Sequence, residues 1–509
     1  MRKTLIVLMM VLFAAAFLFA GGGNETSKAS SSVEKVLKDR LVIVNSLVLQ
    51  QLDTQNNSTA INSHSYRMTH NTLVDVDPVT GEIIPELATE WSISPDGLVY
   101  TFKLRQDVNF QNGEHFTAAD VKYTMDRAVT MAAMKAKAGD IGETRVVDDY
   151  TVEIVLSKNN VEFLENLTSG NLSIINQKAV ESGNGDWGFA VGTGPYVLKE
   201  WVPDDYSLYE INENYWGEKP YMKEVKYQKM AEASARVIAL QTGEADICFD
   251  VPAIEASHVA EGKNTKLLQV PSMKIVYIGL NEGGYNAALT DVRVRRAINH
   301  ATNQKELIAL MREGYASESA GIIPPDAWCY SPVKGYEYDV EKAKALLAEA
   351  GYSDLKLSLT YDSASYPGLF EILQNMWAKA GITLTLDSGD ATITSTKVKK
   401  TYDFDVTVAK WTFSAIGTGL TSLWKSGSGS NKTLTKDPVL DDMLSKASSE
   451  LNTETRKQMY AEISQYITDN AGMVPMYVDQ ILIGVSSNLE GAAFPGTERY
   501  DWNYCKAYK

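Results

Sequence analysis

Cysteine is scarce in this sequence. There are three among 509 residues, Cys248, Cys329 and Cys505. An odd count is no disulfide framework, and no pair has the spacing of a metal-binding motif. Burial as small apolar side chains is expected for all three. Positive charge is also short, with 48 Lys and Arg against 64 Asp and Glu and a formal net charge of −16. That balance argues against nucleic acid as a partner, because neutralising phosphates takes a basic face. Histidine is limited to His64, His70, His115, His258 and His300. None forms H-E-x-x-H, and neither G-x-S-x-G nor a P-loop occurs. GNGDWG at 183–188 fits G-x-G-x-x-G, but it follows no strand and opens no helix pattern, so it reads as a loop. No nucleophile is assembled with a base. The expectation is a protein that is not an enzyme and needs neither cofactor nor metal.

Long apolar runs are missing beyond the first residues. Arg2 and Lys3 precede an apolar stretch at 5–20, and a small, polar Gly/Ser-rich stretch follows. The run is short of the roughly 20 residues that span a bilayer. It reads as a secretory signal over 1–20, cleaved near Ala20, with a flexible linker over 21–32. No cysteine stands near that junction, so a lipid-modified cysteine is not expected. The rest of the chain is expected to be exported and soluble. It exceeds the roughly 250–300 residues at which single cores stop growing, which implies two or three lobes.

What is present is a mixture of strand and helix patterns. RLVIVNSLV (40–48) reads as a first buried strand. LVYTFKL (98–104) and TVEIVL (151–156) alternate with period two, placing Leu98, Tyr100, Phe102 and Leu104 on one face and Val152, Ile154 and Leu156 inward. Asn112–Gly113 is a hairpin signal. Thr117 and Asp120 form a capping-box pattern. Helices are expected to end at Gly243, Gly351 and Gly381, where glycine suits the left-handed cap position. Residues 291–314 read as one amphipathic helix containing a structural His300, and SGSGS at 426–430 as a mobile loop. His64 and His70 flank a polar stretch and are expected at the solvent. Strands interleaved with helices imply an α/β protein.

Several long stretches carry a resemblance. LVDVDPVTGEIIPELATEWSISPDGLVYTFKLRQDVNFQNGEHFTAADVKYTMDRAV (73–129), VGTGPYVLKEWVPDDYSLYEINENYW (191–216), ARVIALQTGEADI (235–247), a block over 277–308, VEKAKALLAEAGY (340–352) and LQNMWAKAGITLTL (373–386) follow in order along the chain. They resemble the family 5 extracellular solute-binding proteins of ABC importers, the peptide, oligopeptide and nickel group. The resemblance implies a three-lobe periplasmic binding protein fold of type II that closes like a clam about two hinges. Lobe I would be 33–72, 189–288 and 479–509. Lobe II would be 73–188 and lobe III 289–478, with crossings near 288 and 478. It also implies a periplasmic monomer that captures a small polar solute between lobes I and III and hands it to the permease subunits. A peptide is the leading solute, with an oligosaccharide or a nickel chelate as alternatives. An exported hydrolase is the alternative of another class, and a sensory or adhesion role a third.

The resemblance points to the segment WTFSAIGTGLTSLW (411–424) as a wall of the ligand pocket, with Trp411, Thr412, Phe413 and Ser414 foremost, Thr418 behind them and Trp424 open between core and pocket. Peptide-binding relatives carry an aspartate shortly after that Trp, which pairs with the ligand's ammonium group. Here no acidic residue occurs from Trp411 to Lys436, and a buried ammonium without a carboxylate is costly. On lobe I, the stretch at 61–74 resembles the pocket loop and offers Arg67, a candidate carboxylate clamp, and Met68. On lobe II, Asn171 stands where some relatives carry a basic residue for an anionic chelate.

Overall fold

The computed structural model describes residues 35–56, 59–77, 81–183, 185–495, 500 and 502–509. The expected signal and linker lie outside these residues. Leu37–Lys509 forms one compact unit.

A sheet of eleven strands organises this unit. Its main path runs Ile382–Ser388, Leu355–Thr360, Val406–Thr412, Thr265–Leu280, Met473–Ser486, Ile247–Cys248, Arg40–Asn45, Glu224–Lys229, Tyr206–Ile211 and Tyr196–Val202. The pairing is mixed. Arg40–Asn45 is parallel to both of its neighbours, whereas Thr265–Leu280 and Met473–Ser486 are antiparallel to each other. These last two are the longest strands, and they tie the two halves of the sheet together. Their ladder runs from Thr265 opposite Ser486 to Gly279 opposite Met473, and it is interrupted between Pro271 and Ile275.

Both faces of the sheet are buried. On one half, Leu41, Ile43 and Tyr227 enter one apolar cluster while Val44 and Cys248 enter another. On the other half, Val276, Ile278 and Leu357 pack with Trp377, and Ile275 and Tyr277 pack on the opposite face with Trp424 and Tyr460. A separate four-stranded antiparallel sheet, Ala88–Ile93, Val99–Leu104, Thr151–Leu156 and Ile141–Asp148 in that order, carries its own cluster. Tyr100, Phe102, Leu104, Val152, Ile154 and Leu156 are all buried there, as their period-two spacing requires.

Local signals act at the positions the sequence marks. Gly113 takes φ 85° in the tight turn that lets Phe110 N–H donate to Glu114 O. The Asp120 carboxylate accepts from Thr117 N–H at 3.0 Å and closes the capping box of Ala118–Thr130. Gly192 and Gly194 serve close approach: a Cβ on Gly194 would lie 2.6 Å from His70 N.

Three expectations are corrected. Residues 291–314 form two helices, Val292–His300 and Gln304–Arg312. Asn303 starts the second by accepting from Glu306 N–H, and its own N–H points at Met376 Sδ, so the break is built by a cap and by packing. The stretch over 61–74 is largely helical, Ala60–Thr69. That helix carries His64 and the following His70 inward, against the expectation of solvent. His70 is 1% exposed and shares a hydrogen bond with Thr69 Oγ1, and His64 meets the Tyr500 ring edge-on at 4.7 Å. In the SGSGS loop, Ser426 N–H donates to Asp441 and Ser428 Oγ donates to Ser422 O. All three cysteines are buried, and burial pushes the Cys248 and Cys329 thiols up to about 12.

Candidate functional site

The strand Val406–Thr412 lies inside the larger sheet: it meets Leu355–Thr360 at Val406 and Thr407 and pairs with Thr265–Leu280 along its length. Period two splits the four residues chosen from sequence between its faces. Trp411 is half-buried, and Phe413 is 3% exposed in the cluster that also holds Trp424. Thr412 and Ser414 are exposed. Beyond them the chain turns into a helix, Ile416–Trp424, which buries Ile416, Leu420, Leu423 and Trp424. Trp424, at 3% exposure, belongs to the core. Thr418 is engaged inside the protein: its Oγ1 donates to Glu162 at 2.6 Å, and its N–H donates to the same carboxylate at 2.7 Å.

An acid that the Trp411 segment lacks stands beside it in space. Lys274 pairs across the ladder with Thr412, and Phe413 N–H donates to Met273 O. Residues 272–274 are the interruption in the ladder of the two long strands, and they lie opposite Asp479. The Lys274 amine reaches Asp479 at 2.5 Å, and the Arg312 guanidinium reaches its other oxygen at 2.6 Å. Asp479 is 8% exposed, so two cations compensate a carboxylate largely removed from water. Nothing local in the sequence marks this cluster, since its members are separated by 38 residues and more. The one sequence signal is a charged residue, followed by Gln480, inside a strand otherwise largely apolar, VPMYVDQILIGV.

Arg67 and Met68 come together elsewhere, in one small cavity, whereas Asn171 has other partners. Arg67 forks onto Asp75 with bonds of 2.7 and 3.0 Å and donates to Thr168 O at 2.6 Å. Asn171 is fully buried, donates to Thr54 O and accepts from Lys137. Met68 is buried against Tyr196 and Trp502 in an apolar cluster. Arg67 and Met68 line a cavity of about 110 Å³, together with Glu86, Tyr215, Tyr500 and Trp502. Burial raises the Glu86 carboxyl above its ordinary range; Asp75 adds to this and Arg67 opposes it. The aromatic tail that supplies Tyr500 and Trp502 escapes a reading of the sequence by blocks, although RYDWNY is dense in rings.

The cavity lined by Arg67 and Met68 contains none of Trp411, Thr412, Phe413 or Ser414. A larger cavity, about 970 Å³, lies among His300, Asn303, Lys334, Tyr336 and Lys342; of the residues singled out from sequence only the structural His300 lines it, and none of the candidate ligand residues does. Among the described residues, no group of three or more His, Cys, Asp or Glu side chains is placed to hold a metal ion. No helix among them is long and apolar enough to cross a membrane.

Comparison with known proteins agrees with this architecture. The bacterial extracellular solute-binding proteins of family 5 match over residues 82–433, more than half of the chain. The glutathione-binding protein GsiB of Salmonella paratyphi A is 29% identical over 423 residues, 80% of this chain and 82% of that one. Among solved structures, the ABC transporter-associated periplasmic binding protein DppA from Helicobacter pylori, in complex with the peptide STSA, superimposes with a TM-score of 0.77 at 26% identity. It covers 93% of this chain and 99% of its own. HbpA2 from Haemophilus parasuis gives a TM-score of 0.83 over 92% of this chain and 100% of its own; at 24% identity it speaks to the fold. The chain belongs to the family 5 bacterial extracellular solute-binding proteins, and its α/β architecture is the type II periplasmic binding protein fold of that group.

Proposed function

We propose that this protein is the periplasmic receptor of an ABC importer, that it captures a peptide between lobes I and III, and that it delivers the peptide as a monomer to the permease subunits. The observation that carries the peptide reading is the ionic cluster beside Trp411. Lys274 is the cross-strand neighbour of Thr412 and binds Asp479, which Arg312 also holds. Charges of both signs thus stand next to the candidate wall. They suit a zwitterionic ligand better than a neutral sugar, for which tryptophan stacking and hydroxyl groups would suffice. Glutathione and the peptide STSA, named with two relatives, are ligands of that charge type.

We draw the first crossing between lobes I and III at the interruption between Pro271 and Ile275, inside Thr265–Leu280, and the second inside Met473–Ser486. Ligand capture needs no covalent chemistry. A ligand that binds the closed form better shifts the population toward it.

The test is calorimetry and thermal shift with three sets: free di- to tetrapeptides with glutathione, the same peptides N-acetylated, and oligosaccharides. A ligand that binds only the folded state at 100 times its Kd adds about 2.7 kcal/mol of stability. Free peptides are expected to raise Tm, and N-acetylated ones to raise it less. A response to oligosaccharides with none to any peptide would overturn the peptide reading.

A further inference from the structure

The helix Ile416–Trp424 begins without a cap of its own. Ala415 occupies the cap position and offers no side-chain acceptor. A helix start leaves backbone N–H groups without intrahelical partners and carries about half a positive charge. The missing acceptor arrives from 255 residues upstream. Glu162 takes the N–H of Gly417, and its second oxygen takes both the N–H and the hydroxyl of Thr418. Glu162 is 8% exposed, so those donors replace the water that its charge has lost.

The two partners stand at different apolar clusters. Glu162 is followed by Phe163, which is packed in the cluster of the four-stranded sheet, whereas Ile416 and Leu420 lie in the cluster of Trp424 and Tyr460. One further bond crosses nearby, from Asn159 Nδ2 to Ser449 O. The helix in turn sets the candidate wall. A Cβ on Gly419 would lie 2.9 Å from Trp411 Nε1 and 2.6 Å from Phe413 Cε1, so both rings pack directly on this glycine's backbone. A Cβ on Gly417 would lie 2.9 Å from Glu162 Oε1, so glycine leaves room for the carboxylate. Tyr460 is 1% exposed and its hydroxyl, which has no hydrogen-bond partner among the described residues, stands at the same glycine.

We propose that Glu162 is a positioning residue for capture: a latch from lobe II that caps the helix Ile416–Trp424 of lobe III when the two bodies meet, and so fixes the Trp411 and Phe413 rings in the closed form. Opening exchanges this cap for water at both ends. The latch acts through the helix and touches no ligand. Its role in capture rests on the reading above, but its existence can be tested on ligand-free protein, so the two can fail separately.

The experiment compares wild type, Glu162→Gln, Thr418→Val and Gly417→Ala without ligand. Hydrogen exchange is read on peptides covering 415–424 and on reference peptides from Thr151–Leu156 and Thr265–Leu280. Small-angle scattering gives the radius of gyration. Exchange at the Gly417 and Thr418 amides is expected to rise at least tenfold in Glu162→Gln and Gly417→Ala, and less in Thr418→Val. The reference strands should stay unchanged and the radius of gyration should increase. Unchanged exchange at 417–418 would overturn the proposal. So would an equal rise in the reference strands, which is general destabilisation, and so would local exchange with no change in radius, which is a cap without a latch.

Discussion

His70 carries the clearest consequence at the scale of one residue. Full burial depresses its pKa to about 4, from an ordinary value near 6.5. The folded state therefore holds it neutral where the unfolded chain would bind a proton. Its contribution to stability is fully present above pH 6.5 and is lost as pH falls through the interval from 6.5 to 4. The difference of about 2.5 pH units corresponds to about 3 kcal/mol below pH 4. Urea unfolding of wild type and His70→Asn across pH 7.5 to 4 should show a steeper decline in wild type by about that amount. Parallel curves would contradict it. The sequence hid this residue because His64 and His70 sit among polar neighbours, and only the helix Ala60–Thr69 and the ring of Tyr500 take them inside. Arg67 illustrates the same limit. Its type suits a carboxylate clamp, but Asp75, eight residues on, meets its guanidinium.

At the scale of elements, local signals were legible wherever a turn or cap acts within a few residues. Gly243, Gly351 and Gly381 lie just past their helices at φ 80°, 86° and 82°, conformations that cost glycine little. The 291–314 segment fails that test because the periodicity of its two helices nearly continues across the break. Asn303 decides it. Asn303→Ala removes the acceptor for Glu306 N–H, and should cost about 1 kcal/mol, read as a lower urea midpoint with the m-value unchanged. The Trp411 segment is the other case. Its lack of acidic residues was legible, but its split into a strand end and a helix was not, because the helix is capped from Glu162 rather than from Ala415. Alternation then turns Phe413 into the core and leaves Thr412 outside.

At the scale of the whole molecule, the two longest strands carry the connection between the halves of the large sheet, and Asp479 pins their interruption to Lys274 and Arg312. Asp479→Asn leaves two cations sharing a neutral oxygen. Breaking a buried pair costs about 3–5 kcal/mol, and the partial exposure of Lys274 and Arg312 lowers the expectation to about 2 kcal/mol. Chemical denaturation should show that loss. If the cluster also reads ligand charge, the same variant weakens free peptides more than N-acetylated ones, and equal weakening of both would separate a hinge role from a recognition role.

The sequence by itself determined the family and the α/β class, because ordered blocks of alternating strands, caps and turn glycines are short-range features written in consecutive residues. It also determined the burial of the cysteines and the absence of an acid after Trp411. Tertiary structure alone decided which charges stand together. Asp479 meets Lys274, the cross-strand neighbour of Thr412, and Glu162 reaches the helix after Trp411, each across more than 200 residues of chain. Such pairs leave no local periodicity or spacing, since it is the folded sheet that brings them within hydrogen-bonding distance.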